Sequence, residues 1–143
     1  NVTGSGEVFA WQFGFPYSVD LTRGFARYNP GETSSIDLLV RGEVDAMFTI
    51  GSDPGAHFPI SAVKQFAHIP SVCVDPHLTP TSGVSKLHVP VAFNGVETGG
   101  NCYRMDNVPI DCRKVVEPPE GMLTDEQFLI KVRDRVRQLK GAA

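Results

Sequence analysis

No stretch of the 143-residue chain approaches the roughly 18 consecutive apolar residues that a membrane-spanning helix needs, so nothing in it reads as a membrane anchor. Cysteine is scarce. The three that occur, Cys73, Cys102 and Cys112, are odd in number and have no C-x-x-C spacing, which speaks against both a disulfide framework and a thiolate metal site and suits a reducing, cytoplasmic setting. Charge of one sign is also lacking: the formal net charge is −3, and the basic residues gather only in the last helix, so no footprint for nucleic acid is present. The four histidines, His57, His68, His77 and His88, have no H-x-x-x-H spacing, there is no nucleophile elbow, and no cysteine stands beside a recognisable base. The residues therefore offer no catalytic constellation and no metal site. The start, Asn1-Val2-Thr3, has neither an initiator methionine nor a signal-peptide pattern, and reads as the middle of a longer, processed or split polypeptide.

What is present is ordinary globular material, 41% hydrophobic and 20% charged, in one domain's length. Residues 1–33 are rich in glycine and aromatics without a sustained period. They read as an ordered, mostly irregular segment with a short helix near residues 7–13, either covering a pocket or packing on its own domain. From residue 34 to 143 the pattern is α/β. Thr33 or Ser34 caps a first helix ending at Gly42, and the nearly continuous apolar run at 44–50 predicts a strand covered on both faces. A helix over 59–68 and a strand at 71–74, with Cys73 as a small buried hydrophobe, complete a βαβ unit with parallel strands and a right-handed crossover, a Rossmann-like arrangement. Leu87 to Ala92 reads as a short extended segment whose Pro90 suggests an edge position or a strand terminus, and 108–116 as a second extended stretch. Thr124-Asp125-Glu126-Gln127 predicts a capping box for a last helix with the apolar stripe Phe128, Leu129, Val132, Val136 and Leu139.

Ligands of open α/β sheets bind beyond the carboxyl ends of the strands, where free helix N–H groups point outward. Two loops fall there. In Gly51-Ser52-Asp53-Pro54-Gly55-Ala56-His57 the glycines allow close backbone approach, Ser52 can donate and Asp53 can accept from a base or ribose; turn geometry alone is the plainer alternative. In Asp75-Pro76-His77-Leu78-Thr79-Pro80-Thr81-Ser82 the carboxylate could accept two hydrogen bonds from a guanine edge, or the loop could merely cap itself. A third loop, residues 95–106, is dense in glycine and polar types, and its Arg104 could pair with a phosphate or internally with Glu97 or Asp106. The residues thus describe a cofactor-holding domain whose reactive centre lies elsewhere.

The three loops in this order resemble the molybdopterin oxidoreductase superfamily, and within it the B subunits of formylmethanofuran dehydrogenases. The resemblance is carried by Tyr28-Asn29-Pro30-Gly31-Glu32, Gly42-Glu43-Val44-Asp45-Ala46, Gly51 through Pro59, Asp75-Pro76-His77 with Thr79-Pro80-Thr81, and Tyr103-Arg104-Met105-Asp106 with Val108-Pro109-Ile110. Asn1-Val2-Thr3-Gly4 is similar to the Asn-Val-x-Gly step of formate-dehydrogenase-like enzymes, which follows an active-site arginine not present here. The resemblance covers only the C-terminal third or so of such a subunit. It implies a cofactor, molybdopterin guanine dinucleotide with tungsten or molybdenum, shared with an N-terminal part that would also hold a [4Fe-4S] cluster. Gly51, Ser52, Asp53 and His57 would line the first cofactor loop, Asp75, Thr79 and Thr81 the guanine end, and Glu97, Gly100 and Arg104 the pterin or pyrophosphate. The activity implied is reversible CO2 reduction to formate for formylmethanofuran synthesis in archaeal methanogenesis, with no activity of this segment alone. The implied partners are the N-terminal part of the same subunit and amidohydrolase-like and ferredoxin-like subunits, with no nucleic acid and no membrane. Competing readings are another molybdopterin oxidoreductase such as a formate dehydrogenase, or a non-catalytic nucleotide-binding or scaffold domain.

Overall fold

The computed structural model describes residues 2–141; Asn1, with which the Asn-Val-x-Gly step begins, lies outside them. The N-terminal segment is more regular than its composition predicts. Helix α1 spans Val2–Phe13, several residues longer than the 7–13 expected. A two-residue antiparallel ribbon, β1 (Val19–Asp20) with β2 (Arg27–Tyr28), follows. The Asp20 carboxylate accepts from the Thr22 N–H and hydroxyl and from the Arg27 guanidinium, which closes that turn. The aromatics pack largely on one another: Phe15 stacks on Tyr28 at 4.9 Å between centroids and Phe9 leans on Phe13 at 5.4 Å. Buried Thr33 ties the segment to the domain, its hydroxyl lying 2.7 Å from the Ser18 carbonyl and 2.9 Å from that of Asn29.

Helix α2 (Ser35–Arg41) starts at Ser34, whose side chain accepts the Asp37 N–H, and stops at Gly42, left-handed with φ 70°. Of the two expected caps, Ser34 does the work because the Thr33 hydroxyl is engaged below. The sheet is parallel throughout, in the order β3 (Met47–Ile50), β4 (Ser71–Val74), β5 (Leu87–Val89). Helices α4 (Ile60–His68) and α2 cover one face, where Leu39, Ala62, Phe66 and Ile69 form the core with Met47 and Phe58 against them. Cys73 and Val74 on the central strand are fully buried, as predicted for the thiol, and burial pushes the Cys73 thiol up from its ordinary value.

Three expectations fail. The apolar run at 44–50 yields a strand only from Met47, because Met47 donates to the Pro70 carbonyl and Pro70 has no N–H to extend the ladder upstream. As an edge strand, β3 buries one face only: Thr49 is buried while Phe48 and Ile50 are about two-fifths exposed (43% and 40%). The third loop is not wholly a loop, since Gly100–Tyr103 forms β6 and pairs antiparallel with β7 (Pro109–Cys112), turning at Asn107 with φ 63°. Finally, α6 (Asp125–Gly141) has the predicted capping box, Gln127 N–H to Thr124 Oγ1 and Thr124 N–H to Gln127 Oε1. Its stripe is nevertheless unburied: Phe128 and Val132 are half-buried, whereas Leu129, Val136 and Leu139 face outward.

Candidate functional site at the carboxyl edge of the sheet

The loop after β3 begins with Gly51 at φ 53°, its N–H donating 2.9 Å to the Val74 carbonyl across the sheet edge. A Cβ at Gly51 would meet nothing within 4 Å, so the backbone here lies bare toward open space. Residues 54–57 then wind into a single turn, α3 (Pro54–His57), with Asp53 at its N-cap position. The Asp53 side chain does not cap α3. Its Oδ1 accepts instead from the Thr81 hydroxyl at 2.5 Å and the Thr81 N–H at 3.0 Å, on the second loop. The Thr81 hydroxyl in turn accepts the Gly55 N–H at 2.8 Å, which joins the two loops into one unit. Gly55 is required by this contact, because a Cβ there would sit 2.7 Å from the Thr81 nitrogen and 2.8 Å from the Pro80 carbonyl carbon. The Thr81 hydrogen bond holds the Asp53 carboxyl below the usual carboxylate range, against the opposing push of burial.

The second loop is likewise more structured than a turn. Thr79 caps α5 (Pro80–Val84) in a box with Ser82: Thr79 Oγ1 accepts the Ser82 N–H at 3.2 Å and Ser82 Oγ accepts the Thr79 N–H at 2.8 Å. Asp75, buried at the end of β4, accepts the His77 N–H at Oδ1 and donates its own N–H to the Val89 carbonyl, while its Oδ2 carries no hydrogen bond among the described residues. The His88 ring donates from Nε2 to the Asp75 carbonyl at 2.9 Å. His57 donates from Nδ1 to the Asp53 carbonyl at 2.7 Å; a carbonyl can only accept, so in the neutral ring Nε2 remains the acceptor. His68 is structural, bonded to the Lys64 carbonyl at the end of its own helix.

The third group stands apart from these two loops. His77 meets Phe93 edge-on at 5.1 Å, and the Phe93 N–H donates to Glu97 Oε2 at 2.9 Å, so Glu97 serves the turn after β5. Arg104 pairs with Asp106 at 2.6 Å, the internal arrangement among its alternatives, with both side chains more than half exposed. Gly100 lines a cleft of about 200 Å³ with Asn94, Gly99 and Cys102. The structure therefore brings Gly51, Ser52, Asp53, His57, Asp75, Thr79 and Thr81 together at one sheet edge, and leaves Glu97, Gly100 and Arg104 on a neighbouring lobe. Thr81 is fully buried, so its side chain acts through the tie to Asp53.

Three lining residues, Ser5, Gly6 and Pro16, were not singled out in the sequence, although they lie with Tyr17 in the 1–33 segment read there as covering a pocket or packing on its own domain. A cleft of about 290 Å³ is walled by Gly51, Ser52 and Ile50 on one side and by Ser5, Gly6, Pro16 and Tyr17 on the other. Ser5 also borders a groove with Phe9, Asn101 and Tyr103, so the first turns of α1 stand between the sheet edge and the hairpin lobe. The sequence signals that pointed to this segment were the aromatic richness of residues 1–33 and the Asn-Val-x-Gly resemblance just before Ser5. A bare backbone at Gly51, the Ser52 hydroxyl and a nearby carboxylate with a free oxygen form a donor and acceptor set that fits a phosphate-linked nucleobase ligand. Among the described residues no group of three or more histidine, cysteine or acidic side chains could hold a metal ion.

No family model matches the chain. It is 52% identical over 139 residues, 97% of its length, to the B subunit of the tungsten-containing formylmethanofuran dehydrogenase 2 of Methanocaldococcus jannaschii. It is 50% identical over 140 residues, 98% of its length, to the same-named protein of Methanococcus maripaludis. The chain spans about a third of the length of these relatives, 32% in each case. Among solved structures, a chain of the formyltransferase/hydrolase complex FhcABCD from Methylorubrum extorquens, in complex with methylofuran, superposes with a TM-score of 0.73 at 17% identity, over 98% of this chain and 38% of that one. This likeness carries the fold, a mixed α/β unit with a parallel three-stranded sheet and a C-terminal helix.

Proposed function

We propose that the chain is the C-terminal part of a formylmethanofuran dehydrogenase B subunit, where it grips molybdopterin guanine dinucleotide. The observation that carries this reading is the 52% identity, over nearly the whole chain, to a protein named tungsten-containing. Gly51 leaves room for the pyrophosphate, Ser52 presents its backbone N–H and hydroxyl to it, and Asp75 takes the guanine edge through its free Oδ2. Asp53, Thr81 and Gly55 hold those two loops at a fixed spacing, so the ligand meets a preformed edge. Thr79 positions α5 through its cap, and His57 offers Nε2 as an acceptor. Glu97, Gly100 and Arg104 belong to the pterin side, with Arg104 leaving its exposed Asp106 partner for a phosphate oxygen. Residues 1–33 form a wall of the cofactor pocket, and residues 34–143 the dinucleotide-binding domain.

When bound, the metal–dithiolene group supplies reversible two-electron reduction of CO2 to formate, while this chain contributes position and electrostatics. The metal, the [4Fe-4S] cluster and their ligands belong to the N-terminal part of the subunit, and the formate passes to an amidohydrolase-like partner for transfer to methanofuran. A ferredoxin-like partner delivers electrons. The test is metal, pterin and nucleotide analysis of the natively purified assembly. Acid hydrolysis is expected to release one guanine nucleotide per pterin, with Asp75→Ala lowering occupancy about tenfold, the worth of one charge-assisted hydrogen bond pair. Full occupancy in the Asp75 variant would remove the guanine assignment. A pterin-free, metal-free assembly would favour a scaffold role instead, a reading supported by the same fold in a complex named for formyl transfer and hydrolysis rather than for redox chemistry.

A further inference from the structure

The β6–β7 hairpin carries a pair of thiols that the cofactor role does not use. Its register sets Gly100 opposite Cys112 and Cys102 opposite Ile110, so positions 100, 102, 110 and 112 share one face and the two cysteines are diagonal neighbours on it. Because the residue facing Cys112 is glycine, no side chain stands between the sulfurs. Both are half-buried, and both open onto the same cleft of about 200 Å³, beside Asn94, Gly95 and Gly99. The hairpin forms its own two-stranded sheet, so a small shift between β6 and β7 leaves the parallel sheet undisturbed.

We propose that Cys102 and Cys112 are a redox-active dithiol that low-molecular-weight disulfides oxidise to a cross-strand disulfide. The Cys102 thiolate attacks one sulfur of the small disulfide, forming a mixed disulfide and releasing one small thiolate, which takes up a proton. Cys112 then loses its proton and attacks the Cys102 sulfur, expelling the second small thiol. Two protein thiols and one small disulfide become one protein disulfide and two small thiols, so electrons and protons balance. The order of attack follows from the surroundings of Cys112. The neighbouring Cys102 side chain first, and burial second, push the Cys112 thiol up, so Cys112 keeps its proton and acts as the resolving thiol. Diagonal Cα atoms stand about 7–8 Å apart, at the limit of disulfide reach, so the bridge is strained and readily reopened. Once formed it fixes the lobe that carries Gly100 and Arg104. Fully buried Cys73 takes no part.

The full-length protein in its native assembly is incubated anaerobically with glutathione disulfide, quenched in acid, alkylated and digested with trypsin. Cleavage after Arg104 places the two cysteines on separate peptides. Cys102 and Cys112 are expected to lose alkylation together and to yield one cross-linked peptide pair, restored to free thiols by dithiothreitol and formed roughly tenfold or more faster near about pH 9 than near about pH 7. Cys112→Ser is expected to trap glutathione on Cys102 without a cross-link, and Cys102→Ser to leave Cys112 largely alkylatable. Complete alkylation of both cysteines at every disulfide concentration, or stable glutathione adducts in the wild type without the cross-link, would overturn the proposal.

Discussion

Thr81 places one hydroxyl where two loops meet, donating to the Asp53 carboxylate and accepting from the Gly55 N–H in a site that water does not reach. Thr81→Val keeps the shape and removes the oxygen, leaving a charged acceptor short of a donor and an N–H without an acceptor. The expected loss is about 2–3 kcal/mol, measured as a lower denaturant midpoint with unchanged slope. The same tie has a pH signature. The folded-state Asp53 carboxyl lies below its ordinary value, so its contribution is present above the unfolded carboxylate range and disappears as pH falls through the folded value. Unfolding free energy is therefore expected to drop as pH falls below about 4, and less steeply in Asp53→Asn. Equal slopes in the two proteins would place the acid-sensitive group elsewhere; Asp20 and Glu32, lowered by their own hydrogen bonds, are the alternatives. The sequence reading found Asp53 and Thr81 as residues but assigned both to the ligand. Nothing local reveals a partner 28 positions away, and a carboxylate beside glycines looks the same whether it grips a base or a neighbouring loop.

At the scale of elements, the parts legible in the sequence are those set by local chemistry. The Ser34 and Thr124 caps, the Gly42 stop and the β3–α4–β4 unit follow from capping residues and apolar spacing. The short helices α3 and α5 do not, since neither has enough residues for a period and each is held by the other. Gly55 marks this dependence and sets two effects against each other. Helix propensity alone makes Gly55→Ala favourable by up to about 1 kcal/mol. A Cβ at 2.7 Å from backbone that cannot yield costs about 1–3 kcal/mol by overpacking, and it also displaces the Gly55 N–H from Thr81. Sterics is expected to win: Gly55→Ala should lower the thermal midpoint and raise amide exchange in both α3 and α5. A stabilised variant would show that the two turns are not in contact. Strand β7 falls within the extended stretch read at 108–116, whereas its partner β6 escaped the sequence reading for a different reason. Its strand residues Gly100 and Asn101 have low β propensity, and pairing with residues 109–112 supplies what propensity does not.

At the scale of the whole molecule, the mismatch between predicted and observed burial is systematic. The sequence places Phe48 and Ile50 inside a doubly covered strand and Leu129, Val136 and Leu139 on a core-facing stripe, yet all five are exposed, as is Trp11 at 72%. Phe128 stacks on Phe48 at 6.1 Å, so α6 touches the open face of β3 at its first turns and leaves that face and its own later turns uncovered. Apolar periodicity reports which side chains avoid water, not which chain segment covers them, and this chain spans a third of the length of its relatives. The separately expressed chain is therefore expected to bind a hydrophobic-surface dye and to self-associate with rising concentration in sedimentation velocity. Replacing Trp11 and Leu139 with lysine should suppress both effects while leaving the far-ultraviolet dichroism unchanged, because neither side chain belongs to the Leu39, Ala62, Phe66 and Ile69 core. A monomer without dye binding at all concentrations would mean that these side chains fold back onto the domain in solution. Loss of helical signal in the lysine variant would instead show that α1 or α6 depends on them.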